Sequence, residues 1–126
     1  MKSLQITSTP KTPEIDFNKD SGELLISGIS VPENAIEFYT PVIDWLIRYA
    51  STPQNKTILS FKLTYLNTSS LQYLYDVLKE IDEICEPDSV IMNWYFTEGD
   101  DDMQETGEDF KEVTTSQFNF IKVPQE

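Results

Sequence analysis

The stretch from Lys56 to Leu66 alternates, and it runs into a helical pattern from Leu71 to Cys85 through Asn67-Thr68-Ser69-Ser70. In the first stretch Leu59, Phe61, Leu63 and Tyr65 fall on one side. Ile58, Ser60, Lys62 and Thr64 fall on the other, the period of a strand buried mainly on its first face. In the second, Leu71, Leu74, Tyr75, Leu78, Ile81 and Cys85 recur at helical spacing, with Gln72, Asp76, Lys79, Glu80 and Glu83 opposite. A strong strand pattern then returns at Ser89 to Thr97. Strand, helix and strand in that order call for a crossover connection between parallel strands. This one unit commits the chain to an α/β fold.

The flanks extend that unit. Leu4-Gln5-Ile6 is a brief strand, followed by turn-prone Ser8 to Pro13. Glu14-Ile15-Asp16-Phe17 and Glu23 to Ile29 alternate on either side of Asn18-Lys19-Asp20-Ser21-Gly22, the signature of a β-hairpin. Asn34 is placed to cap a helix carrying Ile36, Tyr39, Val42, Ile43, Leu46, Ile47 and Ala50, with Trp45 close to the same apolar phase. Pro41 either kinks this helix or restarts it, with Thr40 as a new cap. Ser51 to Asn55, with Pro53, stops it. Glu98-Gly99-Asp100-Asp101-Asp102 leads into a short helix ending near Val113, and Phe118 to Ile121 is a last strand. The expectation is a single domain over residues 1–126, a mixed sheet with an N-terminal hairpin and about three helices.

Charge and composition narrow the function. The formal charge is −13, from 22 acidic and 9 basic residues. Nucleic acid and anionic membranes are therefore poor partners. There is no histidine, which removes Ser-His and Cys-His nucleophiles and imidazole-ligated metals. The one cysteine, Cys85, lies on the apolar phase of its helix and reads as a buried, inert thiol. No apolar run reaches membrane-spanning length and no signal peptide opens the chain, so a cytoplasmic protein without membrane insertion is expected. No cofactor is expected.

The turn Asn67-Thr68-Ser69-Ser70 is the leading candidate site. Thr68 or Ser69 would suffice to cap the following helix, at about 1 kcal/mol. Three neighbouring hydroxyls exceed that need. A helix start also favours anions, so the turn suits phosphorylation, which would add about two negative charges.

The residues around this turn carry a family resemblance. Ser8-Thr9 through Pro13 with Glu14-Ile15, Gly22 with Leu24, Pro32-Glu33-Asn34-Ala35, Asp44-Trp45, Tyr65 to Ser70, and Asn93-Trp94-Tyr95 follow one another as in the SiaC-type regulatory phosphoproteins of bacteria, which the chain resembles over nearly its whole length. The resemblance implies a fold like the STAS domain of anti-sigma-factor antagonists. Those proteins usually carry Asp-Ser-Ser-Gly at the turn, where this chain has Asn67 for the Asp and Ser70 for the Gly. The resemblance further implies that Thr68 is the phosphoacceptor, served by a dedicated protein kinase and a PP2C-type phosphatase. The unphosphorylated form would bind and activate a diguanylate cyclase, raising cyclic di-GMP and favouring biofilm. Ser69 and Ser70 compete as acceptors.

Other candidates flank this one. Glu33 and Asn34 start the first long helix and are candidate partner contacts, together with Asn67, Ser69 and Ser70. Tyr73 falls off the apolar phase of its helix and is a candidate exposed docking aromatic. The acidic segment from Glu98 to Glu112 offers the alternative of a divalent-metal binder or small carboxylate enzyme, although it lacks the spacing of an EF-hand loop. A solvated acidic face is its plainer reading.

Overall fold

The computed structural model describes residues 1–125. Six strands lie side by side in chain order: β1 (Leu4–Ile6), β2 (Glu14–Phe17), β3 (Glu23–Ser30), β4 (Thr57–Leu66), β5 (Val90–Thr97) and β6 (Gln117–Val123). β1, β2 and β3 pair antiparallel; β3 to β6 pair parallel. Each parallel connection carries a helix: α1 (Ala35–Ser51), α2 (Thr68–Ile84) and α3 (Asp101–Glu112). This is the mixed α/β sheet with an N-terminal hairpin that the alternating and helical patterns require.

The helices cover one face of the sheet. Phe17 packs on Trp45 of α1, while Phe61 and Trp94 pack on Phe110 of α3. Leu24, Ile26, Leu59 and Met92 are buried in the same layer, each stabilising the fold by roughly 1.5–3 kcal/mol. On the other face Asp16, Ser27, Lys62 and Asn93 alternate with these residues and are less buried. α3 can lie against Trp94 because residue 107 is glycine. A Cβ there would come within 2.5 Å of the indole. The indole Nε1 donates to the Met103 carbonyl at 3.0 Å.

Three local expectations are corrected. Tyr65 does not share the buried face of Leu59, Phe61 and Leu63; it is 59% exposed. Gly28 pairs with Leu63 but Ile29 pairs with Tyr65, so Thr64 is an extra residue in β4. Such a bulge reverses the alternation. Leu66 then lies beside Ser30 on the helix side, and Tyr65 lies beside Ile29 outside. Gly28, at φ +108°, supplies the backbone angle the irregularity needs. Second, of the two alternatives at Pro41 the restart at Thr40 falls, because α1 runs as one helix through the proline. Third, Ile36 and Ile47 are 65% and 45% exposed. They sit on the shoulder of the apolar stripe, while Tyr39, Val42, Leu46 and Tyr49 fill the core.

Trp45 is buried, with its Nε1 donating to the Lys2 carbonyl at 2.7 Å. Cys85 is buried, which pushes its thiol pKa up. Among the described residues no helix is long and apolar enough to cross a membrane.

Candidate functional site

The site is the corner where β4 hands over to α2. The Asn67 backbone N–H donates to the Ser30 carbonyl at 3.0 Å, tying the corner to the end of β3. Asn67 then caps α2 itself. Its Oδ1 accepts from the Ser70 backbone N–H at 2.9 Å and from Ser69 Oγ at 3.1 Å. The expected cap, Thr68 or Ser69, is therefore corrected to Asn67. An Asx side chain in an extended backbone reaches the third N–H of the helix without help from the following hydroxyls.

That assignment separates the three hydroxyls. Ser70 is fully buried. Its Oγ donates to the Ser30 carbonyl at 2.9 Å and accepts from Ser30 Oγ at 2.8 Å. Ser30 Oγ lies 2.5 Å from the Tyr39 hydroxyl. With the Ser30 and Ser70 protons already committed, the Tyr39 hydroxyl is the donor in that contact. A single chain of hydrogen bonds thus runs from α1 through β3 to the first turn of α2. Burial pushes the Tyr39 pKa up against the opposing effect of the Ser30 and Ser70 hydrogen bonds, which keeps the phenol protonated. Ser69 is exposed but bonded to its own cap. Thr68 is exposed at the first helical position, and its side chain makes no hydrogen bond among the described residues.

The electrostatics of this corner are unusual within the molecule. The first turns of α1 and α3 carry acids, Glu37 in one and Asp101 and Asp102 in the other. The first turn of α2 carries none. In a chain of charge −13 the positive end of the α2 dipole thus meets no acid from its own first turn.

The other sequence candidates fall at varying distances from Thr68. Asn34 caps α1, accepting from the Glu37 N–H at 3.1 Å. Glu33 is exposed and paired with Lys11 at 2.7 Å. The hydrogen bond to Lys11, then its charge, holds the Glu33 carboxyl below the usual range. Both residues follow closely on Ser30, yet neither bonds to residues 67–70 among the described residues. Tyr73 is corrected: it is half-buried, its ring stacked on Tyr39 at 5.5 Å and 3°. It supports the hydroxyl chain and does not stand out as a free docking aromatic. Ser70, buried under the same chain, presents nothing to a partner.

In the acidic segment, Asp100 caps α3 through the Met103 N–H at 3.1 Å. Among the described residues no three carboxylates or other metal ligands gather at one point.

Sequence reasoning missed Ser30 and Tyr39. Ser30 had left a trace, for it continues the buried phase of Leu24 and Ile26 as a polar residue at the end of a strand. Such a group needs a partner when buried, but no local pattern points to that partner in Ser70, forty positions away.

The pattern that defines SiaC family regulatory phosphoproteins matches residues 6–123. A relative in Pseudomonas aeruginosa (strain UCBPP-PA14), itself uncharacterised, is 34% identical over 119 residues, 94% of each chain. The structure of SiaC of Pseudomonas aeruginosa superposes with a TM-score of 0.88 at 31% identity, covering 98% of this chain and 100% of that one. A chain in the crystal structure of the diguanylate cyclase SiaD in complex with its activator SiaC, from the same species, matches with a TM-score of 0.88 at 31% identity, over 95% of this chain and 99% of that one.

Proposed function

The chain belongs to the SiaC family of regulatory phosphoproteins, and on that premise we propose that it is a non-enzymatic, cytoplasmic switch whose unphosphorylated form binds and activates a diguanylate cyclase. Thr68 is the phosphoacceptor. A protein kinase adds the phosphate and a PP2C-type phosphatase removes it. Cyclic di-GMP synthesis and biofilm formation follow the dephosphorylated form. The support for the cyclase as partner is the likeness to the SiaC that activates SiaD.

The observation that carries the reading is the state of Thr68. It is exposed and, among the described residues, without a side-chain partner, on a helix start that carries no acid. Ser70 is set aside as acceptor by burial, and Ser69 is engaged with the cap. A phosphate on Thr68 brings about two negative charges and meets the positive end of the helix dipole, so the fold accepts it. A partner seated on the same corner must desolvate that charge or oppose it with its own, and docking fails. Asn67, Ser69, Glu33 and Asn34 form the near rim of the contact in this reading.

The test is phosphate-affinity electrophoresis of the protein from its native cells, with peptide mapping, beside a Thr68→Ala strain. A retarded band that maps to Thr68 and disappears in the variant is the expected result. No such band in any growth phase, with phosphatases inhibited, would return Thr68 to a plain helix start.

A further inference from the structure

The apolar stripe of α1 has a shoulder that the fold leaves partly uncovered. Ile36, Ile43 and Ile47 recur at helical spacing on the shoulder beside Tyr39. Ile36 and Ile47 are the more exposed, and Ile43 is half-buried. Tyr39 stacks on Tyr73 of α2, so this shoulder borders the seam between the two helices. Ile84, eleven positions after Tyr73, lies on the same side of α2 and is 48% exposed. Isolated exposed aliphatics are ordinary, but an aligned set along a helix seam is a contact surface. From Ile36 to Ile47 it spans about 16 Å of helix.

Charge decides what covers it. Glu37 and Asp44 stand on the outer ridge of α1, and Asp76, Glu80 and Glu83 on the outer ridge of α2. Arg48 and Lys79 are the cations on these ridges and are outnumbered. A second copy would bring the same acids against these, in a chain already at −13. We propose that the α1–α2 seam seats an amphipathic helix of a partner, aliphatic on its buried side and flanked by Lys or Arg. A third helix laid along two others buries residues at the same three- and four-residue spacing, and basic flanks pair with both acidic ridges. The proposal rests on the chain being a partner-binding regulator, but not on the role of Thr68.

The test places a photo-crosslinking p-benzoylphenylalanine at position 47 in native cells, with a control at position 60 on the uncovered sheet face. Both are built in a Thr68→Ala background, and the cross-linked peptide is sequenced. The expected adduct at position 47 is a segment with helical apolar spacing and Lys or Arg flanks. Position 60 gives none, and adding Ile36→Glu lowers the yield at least tenfold while the helical circular dichroism is kept. No adduct at position 47, an adduct with a second copy, or one with an acidic or extended segment overturns the proposal. Repeating the experiment with Thr68→Glu separates the two readings: equal yield in both backgrounds leaves the seam standing and removes the switch.

Discussion

Two strand-to-helix corners of this molecule share a backbone solution and differ in charge. At the β4–α2 corner Asn67 caps the helix by accepting from the Ser70 N–H; at the β5–α3 corner Asp100 does so from the Met103 N–H. Each cap lies at the carboxyl end of a parallel strand. At the α3 corner the cap is an aspartate and two more acids follow, so the helix dipole is compensated by the sequence itself. At the α2 corner the cap is neutral and no acid follows. Its anchoring comes instead from below, through the buried chain Tyr39–Ser30–Ser70. The α3 corner would repel an added phosphate, whereas the α2 corner is anchored firmly enough to hold its shape and has room for the charge.

The largest effect should come from breaking that contrast directly. Thr68→Asp gives the α2 corner the charge of the α3 corner. It should weaken cyclase binding by about a hundredfold, near 3 kcal/mol, while Thr68→Ala binds as the unmodified chain does. Isothermal titration of both variants checks this, and equal affinities would remove the switch. Removing the buried anchor comes next. Ser30→Ala strands the buried Tyr39 hydroxyl and removes the donor to Ser70 Oγ, whose own bond to the carbonyl of residue 30 remains, and should cost about 2 kcal/mol of stability in urea unfolding. The same change in Ser69, which is itself exposed and bonds only to the Asn67 cap, should cost a few tenths.

The caps should then differ modestly. Asn67→Ala costs about 1 kcal/mol, and Asp100→Ala slightly more because its charge also meets the dipole. By the same logic Thr68→Asp should raise thermal stability by about 0.3–1 kcal/mol even as it weakens docking. A variant that lost both binding and stability would show damage to the corner, not a switch.

The smallest effect concerns the pin that holds α2 to the loop after α3. Asp82 accepts from the Thr114 hydroxyl at 2.6 Å, the Ser116 hydroxyl at 2.8 Å and the Thr115 N–H at 3.3 Å. Burial pushes its carboxyl up, but the Thr114 and Ser116 hydroxyls and the Thr115 and Ser116 N–H groups outweigh burial and hold it below its ordinary value. The folded value is depressed, so the contribution is fully present above the ordinary carboxylate range. It is lost as pH falls through the folded value. Urea midpoints between neutral pH and about pH 3 should fall more steeply for the natural chain than for Asp82→Asn.

The same contrast explains what the sequence made legible. The order of elements follows from period alone, because each strand and helix keeps its own repeat for several turns or pairs. Asn34 reads as a cap for the same local reason, and so did the turn at 67–70 as a helix start. Relations between distant residues were not legible. The bulge at Thr64 depends on how β4 meets β3, so strict alternation puts Tyr65 on the wrong face. Ser70 looked like a third available hydroxyl because Ser30 and Tyr39, which bury it, lie far off in the chain. Helix phase alone puts Tyr73 outside the core, because the phase of α2 carries no sign of the neighbouring Tyr39. Conversely, Ile36 and Ile47 have core character in the sequence and surface positions in the fold, a mismatch that periodicity alone cannot expose.

The most direct measurement installs phosphothreonine at position 68 during synthesis and titrates the phosphorylated and unphosphorylated chains into the diguanylate cyclase of the same cells, following cyclic di-GMP production. The account predicts that the unphosphorylated chain activates the cyclase and that the phosphorylated chain, folded and equally soluble, does not. Equal activation by the two forms would contradict it.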